Sequence, residues 1–184
     1  MWHPIFGTSW LTLFLIASSW VGVTGLGTRA RAQSWNDIGD YASLIRRAGT
    51  QTMVAKDCPS GLLGAFHAGR NALLLCSNNL NNDPRQVWTV LAHESAHVMQ
   101  DCQNGSLLPD HQIADALVQI QRQSQNAIQE LRLYHQSQRR DEIEARLVQG
   151  LPMTEVKALF RDFCADRLSG RSPDHSSTKG LDDG

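Results

Sequence analysis

With 184 residues, 41% of them hydrophobic, the chain is long enough to bury the core of one domain. Its 17 basic and 18 acidic residues give a net charge of −1, so it lacks the basic surplus typical of nucleic-acid-binding proteins. These values favour a small globular protein and exclude nucleic acid as a predicted partner.

The N-terminal segment has the character of an export signal. It is apolar from Ile5 to Leu26, and no acidic or basic residue occurs before Arg29. Residues 30–32 read Ala-Arg-Ala, the small-x-small pattern of a signal-peptidase site, so we expect residues 1–32 to be a signal peptide and the protein to be periplasmic, in the cell envelope or secreted. If it is not cleaved, the apolar run is long enough to anchor the chain in a membrane. We expect no membrane contact for the mature form otherwise.

Helical spacing and capping residues predict a mostly helical chain with one small β-hairpin. In chain order, the predicted elements are a helix over 35–48, a hairpin with strands over 62–68 and 72–76, and helices over 84–102, 110–135, 139–149 and 154–168. The segment 139–149 either continues the helix before it or follows a break. The predicted fold class is α+β, mostly α, with a domain over 33–169 and a disordered polar tail over 170–184.

Four cysteines follow the predicted export signal: Cys58, Cys76, Cys102 and Cys164. An even number in an exported protein predicts two disulfides, although the count alone permits three pairings. Cys58 and Cys76 flank the predicted hairpin, so we expect them to pair, which leaves Cys102 for Cys164. A thiolate zinc site is the alternative, but the chain has no C-x-x-C pair to favour it.

The helix predicted to begin at Pro84 carries residues 93–97, which read His-Glu-Ser-Ala-His and match H-E-x-x-H. Residues four apart share one face of a helix, so His93 and His97 can bind one ion. Glu94 is rotated by about 100° from His93 and is placed to act as a base towards a water on that ion. Apolar flanking residues predict that the helix is buried, where polar groups need partners. The motif therefore predicts a zinc site, rather than a chance match or a structural hydrogen-bond seam.

A catalytic zinc ion usually has three protein ligands, and the segment 141–146 offers two acidic candidates for the third. Glu142 and Glu144 face nearly opposite ways if this segment is helical. At about 100° per residue, Glu144 falls within the apolar arc of the helix and Glu142 on its polar side. A carboxylate directed into a core needs a cation, so we expect Glu144 to be the ligand and Glu142 to face solvent. Pairing of Glu144 with an arginine such as Arg140 is the alternative.

On these residues the chain resembles zincin metallopeptidases of the gluzincin type, in which a second helix supplies a glutamate after H-E-x-x-H. Glu144-Ala145 is similar to the second motif of that group, and the regions 58–76 and 93–102 resemble small exported cyanobacterial proteins with a metallopeptidase-like core. The resemblance covers about residues 58–149. It departs from thermolysin-like enzymes, because the chain lacks a large N-terminal sheet and an evident second lobe. The resemblance implies a zincin-like core, a peptide or protein substrate, Glu94 as general base, and Zn²⁺ held by His93, His97 and Glu144.

The sequence therefore predicts a small exported zinc-dependent metallopeptidase that hydrolyses peptide bonds. Such an enzyme needs a donor that stabilises the oxyanion, and no spacing distinguishes the candidates Tyr134, His135, His67 and His111. A rival prediction is a non-catalytic, zinc-stabilised binding module on a zincin scaffold, and a third is a hydrolase of another amide bond. Glu94 favours an enzyme, because a structural zinc site has no need of it.

Overall fold

A computed structural model describes residues 34–170 of the chain. The predicted export segment, residues 1–32, lies outside the described residues, and so does the predicted tail apart from Gly170. Within residues 34–170 the fold is α+β and mostly helical, with one small sheet, as the sequence predicts.

Helix α1 spans Trp35–Arg47 and begins where the sequence predicts. Ser34 caps it, because its hydroxyl accepts a hydrogen bond from the Asp37 N–H and the Asp37 carboxylate accepts one from the Ser34 N–H. Gly49 follows the helix with a φ of +85°, a left-handed conformation common just after a helix end. This helix contributes the fully buried Tyr41 to the main core.

The sheet has three strands, β1 (Gln51–Ala55), β2 (Gly64–His67) and β3 (Ala72–Cys76), in the order β1-β3-β2. Strands β2 and β3 form the predicted antiparallel hairpin, and Asn71 takes a left-handed conformation with a φ of 46° before β3. Strand β1 pairs in parallel with β3 and was not predicted. It lies at a sheet edge with three of its five residues exposed. Its sequence does not alternate cleanly between polar and apolar residues, which is the pattern that predicts a strand.

Helix α2 spans Pro84–Gln103 and is the central element of the fold. Asp83 caps it and Pro84 occupies its first turn, as predicted, and Asn104 ends it in a left-handed conformation. The main apolar core surrounds α2 and includes residues from α1, β3 and the C-terminal helices. Because α2 is covered on most sides, its position is set by packing rather than by helix propensity.

The sequence predicts one helix over residues 110–135, but the structure divides this segment into several elements. The chain forms a 3₁₀ turn at Asp110–Gln112, helix α3 over Ile113–Gln123 and helix α4 over Ala127–Leu131. Ser124 is extended, with φ −148° and ψ 119°, and this break lets both helices contribute to a second, smaller apolar cluster.

Helix α5 spans Arg139–Gln149, the predicted bounds, and is separated from α4 by an irregular segment. The last predicted helix consists of α6 (Met153–Phe163) and α7 (Ala165–Leu168). Helix α5 contributes Ala145 and Val148 to the main core and Ile143 to the smaller cluster, so it is buried on two sides.

Both predicted disulfides are present: Cys58 pairs with Cys76, and Cys102 pairs with Cys164. The first closes the loop before β2, and the second connects the end of α2 to the end of α6. Two disulfides indicate an oxidising environment, in keeping with the export predicted from the sequence. No helix in the described range 34–170 has the length and apolar character needed to cross a membrane.

Candidate metal centre

Helices α2 and α5 bring three metal-ligating side chains together. His93 Nε2 lies 3.5 Å from Glu142 Oε2, and His97 Nε2 lies 3.5 Å from Glu142 Oε1. One potential ligand atom from each of these three residues lies within 4.8 Å of the others. The placement of His93 and His97 on one face of a helix is confirmed, and they could hold one metal ion together with Glu142.

The structure does not place Glu144 with the two histidines, where the sequence predicts the third ligand; Glu142 is there instead. Glu144 is buried, as the helical wheel predicts, but its carboxylate is satisfied by protein donors. It accepts hydrogen bonds from Gln100 Nε2 and from the backbone N–H groups of Leu107 and Leu108, at 2.9–3.1 Å. Arg140 Nε lies 3.4 Å away, so the alternative partner considered from the sequence is present as well.

The prediction that Glu142 faces solvent is wrong, because only 8% of this residue is exposed. The helical wheel gave most weight to large apolar residues, but the side of α5 that packs against α2 is centred on the small Ala145. That side is rotated by about 100° from Glu144, and Glu142 and Gln149 lie on it. A hydrophobic pattern cannot identify this side, since an alanine contributes little to it.

Two glutamines orient the two histidines. His93 Nδ1 lies 2.9 Å from Gln149 Oε1, and His97 Nδ1 lies 2.8 Å from Gln100 Oε1. Gln100 Nε2 donates to the Glu144 carboxylate and to the Asp141 carbonyl, which are both acceptors, so its Oε1 must be the atom that faces His97. His97 Nδ1 therefore carries a proton, and so does His93 Nδ1 with Gln149 Oε1 as its acceptor, which leaves each Nε2 as the ring nitrogen that can bind a metal ion once it is deprotonated.

These glutamines were missed by the sequence analysis, although the helical spacing contained a signal for both. Gln100 follows His97 by three residues, and Gln149 follows Glu142 by seven, so each shares a helix face with a ligand. Glu144 contributes indirectly, because it fixes Gln100 and Gln100 fixes His97.

The geometry at the centre fits a tetrahedral metal ion. Zinc bonds of about 2.0–2.2 Å to nitrogen and oxygen place neighbouring ligand atoms about 3.3–3.6 Å apart, which includes the observed 3.5 Å. The same 3.5 Å is long for a charge-assisted hydrogen bond, which is about 2.7–2.9 Å. Glu142 Oε2 is moreover buried without a hydrogen-bond partner among the described residues. An ion between the three side chains would satisfy it.

Electrostatics favour an ionised Glu142. Burial acts to raise its pKa, but the neighbouring imidazoles of His93 and His97 outweigh burial and lower the pKa of Glu142 to about 2. This effect comes from imidazoles that are protonated at Nε2, and the same contact with Glu142 contributes to a raised pKa of His97, so a metal ion that binds here would displace the Nε2 protons. The ionised carboxylate and the two deprotonated Nε2 atoms would then form the mixed nitrogen and oxygen ligand set that suits zinc.

Glu94 lies beside the centre but is not one of the three converging ligands. Only 7% of it is exposed, and burial raises the pKa of its carboxyl group, against the opposite effect of the two histidines. Strand β2 passes close to it at Gly64, where a Cβ would lie 3.0 Å from Glu94 Cγ and 2.7 Å from Val90 Cγ1. The absence of a side chain at Gly64 therefore makes room for Glu94 beneath β2.

Two cavities border the centre. One cavity, of about 560 Å³, is lined by His97 and Glu142, and the other, of about 340 Å³, is lined by His93 and Glu94. Strand β2 borders both, since Phe66 lines the first cavity and Gly64 the second. We call these the His97 cavity and the His93 cavity. We refer to the two cavities together as the cleft.

Among the predicted oxyanion donors, Tyr134 is the one that lines the cleft, in the His93 cavity. Burial raises the pKa of Tyr134, Glu142 adds to this effect and Arg146 opposes it, so the phenol lies near both groups. His67, His111 and His135 are exposed and line neither cavity. His67 accepts a hydrogen bond from the Arg70 N–H, and His135 contacts Ser137, so both have local structural partners.

Residues 40–165 match the model of a family described as a domain of unknown function (DUF8637). The match includes all the ligands and their glutamine partners. No curated protein and no solved structure showed a significant match to the chain.

Proposed function

The chain belongs to this family of unknown function, and we therefore propose its function from the centre itself: a small zinc-dependent metallopeptidase with a zincin-like core. One observation carries the proposal. Three side chains suited to zinc converge at 3.5 Å in a cleft, and a further buried carboxylate, Glu94, lies beside them. A structural zinc site needs neither the cleft nor this second carboxylate.

In this proposal His93, His97 and Glu142 hold the metal ion. A bound zinc ion would acidify a water molecule and polarise the carbonyl of the substrate. Gln100 and Gln149 keep the two imidazoles in the tautomer that presents Nε2, and Glu144 restrains Gln100. The chain thus supplies three ligands and holds each histidine through a hydrogen bond at its other ring nitrogen, Nδ1.

Glu94 is the general base. Its position one residue after His93 places it on the adjacent side of the helix, where it lines the His93 cavity beside the centre. It accepts a proton from the attacking water and returns a proton to the nitrogen of the leaving amine. Val90 and Gly64 confine its side chain, so few of its rotamers remain accessible.

Strand β2 supports a peptide as the substrate. It is an edge strand, because β3 is its one neighbour within residues 34–170, and it runs along both cavities of the cleft. An extended peptide can pair with such an edge through its main chain, whatever its side chains. Tyr134 is placed to donate a hydrogen bond to the oxyanion that develops during hydrolysis.

The test is the Glu94→Gln variant. We expect it to fold and retain about one zinc ion per chain, and to cleave peptides at least about 100-fold more slowly than the wild type, because an amide cannot accept the proton. Zinc is measured by elemental analysis, and cleavage by mass spectrometry of a peptide library with and without chelator. Glu155→Gln, an exposed change on α6, is the matched control.

Three outcomes would contradict the proposal. A wild-type protein that takes up no zinc excludes the metal centre. Equal cleavage by Glu94→Gln and wild type excludes Glu94 as the base. A zinc-loaded wild type that cleaves no peptide would favour the non-catalytic binding module instead.

A further inference from the structure

The two cavities of the cleft differ in charge. The His97 cavity is lined by Asp101, Asp141 and Glu142, and no lysine or arginine of the described chain lines it. The His93 cavity is lined by Glu94 and Glu130 but also by Arg146, the one lysine or arginine that lines either cavity within residues 34–170. A negatively charged group of a ligand therefore meets a cation in the His93 cavity, whereas the charged residues that line the His97 cavity would repel it.

Arg146 is held in place but not saturated by its neighbours. Its Nη1 lies 2.7 Å from Glu130 Oε2, and the two side chains are 15% and 49% exposed, respectively. Water therefore screens the carboxylate of this pair more than the guanidinium. Nε of Arg146 is buried without an acceptor in the described chain, so a ligand in the cavity would meet the guanidinium at its two Nη atoms, one of which contacts Glu130. A guanidinium with unused donors in a cavity is suited to a carboxylate.

The position of Arg146 on α5 sets its distance from the reaction. It follows the metal ligand Glu142 by four residues, which corresponds to a rise of about 6 Å along the helix. One residue of an extended peptide spans about 3.3 Å. A carboxylate bound by Arg146 would therefore lie one or two residues from the bond at the centre.

The opposite wall of the His93 cavity is apolar and fixed. Leu62 and Leu63 line it, and both are 37% exposed. Asn79 donates hydrogen bonds to the carbonyls of Pro59 and Leu62, and the disulfide from Cys58 closes the same loop. The cavity of about 340 Å³ thus combines a rigid apolar wall with a cation.

From these features we infer that the His93 cavity binds the carboxyl terminus of the substrate, with Arg146 on the terminal carboxylate and the leucines on the last side chain. The protein then acts as a carboxypeptidase that removes one or two residues. This inference rests on the proposed peptidase function and adds to it a substrate class. The rest of the peptide occupies the His97 cavity, along the edge of β2.

The first experiment measures binding without cleavage. In the zinc-loaded Glu94→Gln variant, N-acetyl-Ala-Ala-Leu with a free carboxylate and the same peptide as an amide are compared by calorimetry. We expect the acid to bind about ten- to a hundredfold more tightly, as for a hydrogen bond to a charged group. Adding Arg146→Met should remove this difference, and adding Arg122→Met, an exposed change on α3, should preserve it. Equal binding of acid and amide would overturn the inference.

A second variant keeps the test valid if Arg146→Met does not fold, which zinc content and circular dichroism would reveal. Glu130→Gln removes the carboxylate that competes for Arg146, so it should tighten binding of the acid and leave binding of the amide unchanged. Tighter binding of both, or of neither, contradicts the role of Arg146.

A third peptide, the amide of N-acetyl-Ala-Ala-Glu, distinguishes a carboxylate at the chain terminus from one on an acidic side chain. If it binds as tightly as the leucine acid, the subsite recognises an acidic side chain and the terminal assignment is wrong.

The second experiment follows cleavage by the wild type. Mass spectrometry of free peptides should show products that lack the last one or two residues, and amidation should lower kcat/KM by the same factor as it lowers binding. Internal cleavage that is indifferent to amidation overturns the inference but leaves the peptidase function intact. Selective binding of the acid without any zinc-dependent cleavage contradicts the peptidase function but leaves the carboxylate subsite standing.

Discussion

Glu142 and Glu144 are two residues apart on one helix, and both are buried, yet their partners are of different kinds. Glu144 is satisfied by three hydrogen-bond donors and Arg140, whereas Glu142 faces two imidazoles and keeps one oxygen without a hydrogen bond. At the residue scale, burial does not identify a ligand. The number of protein donors that already satisfy a carboxylate does so, because a metal ligand must retain lone pairs for the ion.

This difference predicts opposite effects of two alanine substitutions. Glu142→Ala should weaken zinc binding by more than the roughly 10–100-fold that loss of an outer-shell partner costs. Glu144→Ala should weaken it less, but should lower the free energy of unfolding by about 1–3 kcal/mol, because the N–H groups of Leu107 and Leu108 lose their acceptor. Zinc competition titrations and urea unfolding measure the two quantities. Loss of zinc from Glu144→Ala alone would contradict our assignment.

The close approach of β2 to α2 at Gly64 leads to a second prediction at the residue scale. A Cβ at this position would lie 2.7 Å from Val90 Cγ1 and 3.1 Å from Glu94 Oε1, so Gly64→Ala must displace β2 or Glu94. We expect a loss of about 1–3 kcal/mol in stability from overpacking, together with slower peptide cleavage at unchanged zinc content. Gly39→Ala is the matched control, because no atom lies within 4 Å of the added Cβ. It should be neutral or stabilising, since alanine favours a helix interior. Equal effects of the two changes would contradict the close approach.

At the scale of elements, α2 and α5 form the centre, and the remaining elements restrain this pair. Tyr41 of α1 donates a hydrogen bond of 2.7 Å to Ser95, within the H-E-x-x-H motif, and Ser95 donates one to the Ala92 carbonyl. The disulfide between Cys102 and Cys164 fixes the end of α2 against the C-terminal helices. Helix α2 is thus held from both the N-terminal and the C-terminal parts of the described chain.

The two disulfides should contribute unequally to stability. In the loop-entropy description, a bridge over 18 residues stabilises by about 3 kcal/mol and one over 62 residues by about 4 kcal/mol. We therefore expect the double change Cys102→Ala/Cys164→Ala to lower Tm more than Cys58→Ala/Cys76→Ala, by calorimetry under oxidising conditions. Loss of the Cys58–Cys76 bridge should mainly affect peptide binding, because the loop that it closes forms the apolar wall of the His93 cavity. A larger loss of Tm for the shorter bridge would show that native-state packing outweighs loop entropy.

At the scale of the whole molecule, the centre joins the two apolar clusters. Its histidines lie on α2, in the main core, and its carboxylate lies on α5, which also packs into the smaller cluster with α3 and α4. A ligand that binds α2 and α5 together stabilises the folded state, in which their side chains converge. Metal binding and folding should therefore be linked.

This linkage is measurable as a zinc-dependent Tm. At a free zinc concentration 100 times the dissociation constant, the stabilisation is about 2.7 kcal/mol, or roughly 5–10 °C for a protein of this size. We expect chelator to lower Tm by this amount, and Glu94→Gln to respond as the wild type does. Glu142→Ala should show little response. A Tm of the wild type that is independent of zinc would exclude the centre as a metal site under those conditions.

Local rules account for much of the fold. The H-E-x-x-H spacing placed His93 and His97 on one face, Asp83 and Pro84 marked the start of α2, and the cysteines around the hairpin indicated both pairings. The pairing of Cys102 with Cys164, 62 residues apart, followed once Cys58 and Cys76 were paired. The other features depend on residues near each other in the chain, where helix geometry and capping chemistry act without the rest of the molecule. The hairpin and the bounds of α5 follow from the same rules.

Tertiary structure alone decided which glutamate joins the two histidines, the parallel strand β1 and the break after α3. The choice between Glu142 and Glu144 depended on which side of α5 meets α2, and that side is set by close packing at Ala145 rather than by the largest apolar residues. Helix periodicity orders the residues around an axis, but it does not say which neighbour each side will face. That direction follows from how all the elements share one core, which is a property of the folded chain and of no single segment.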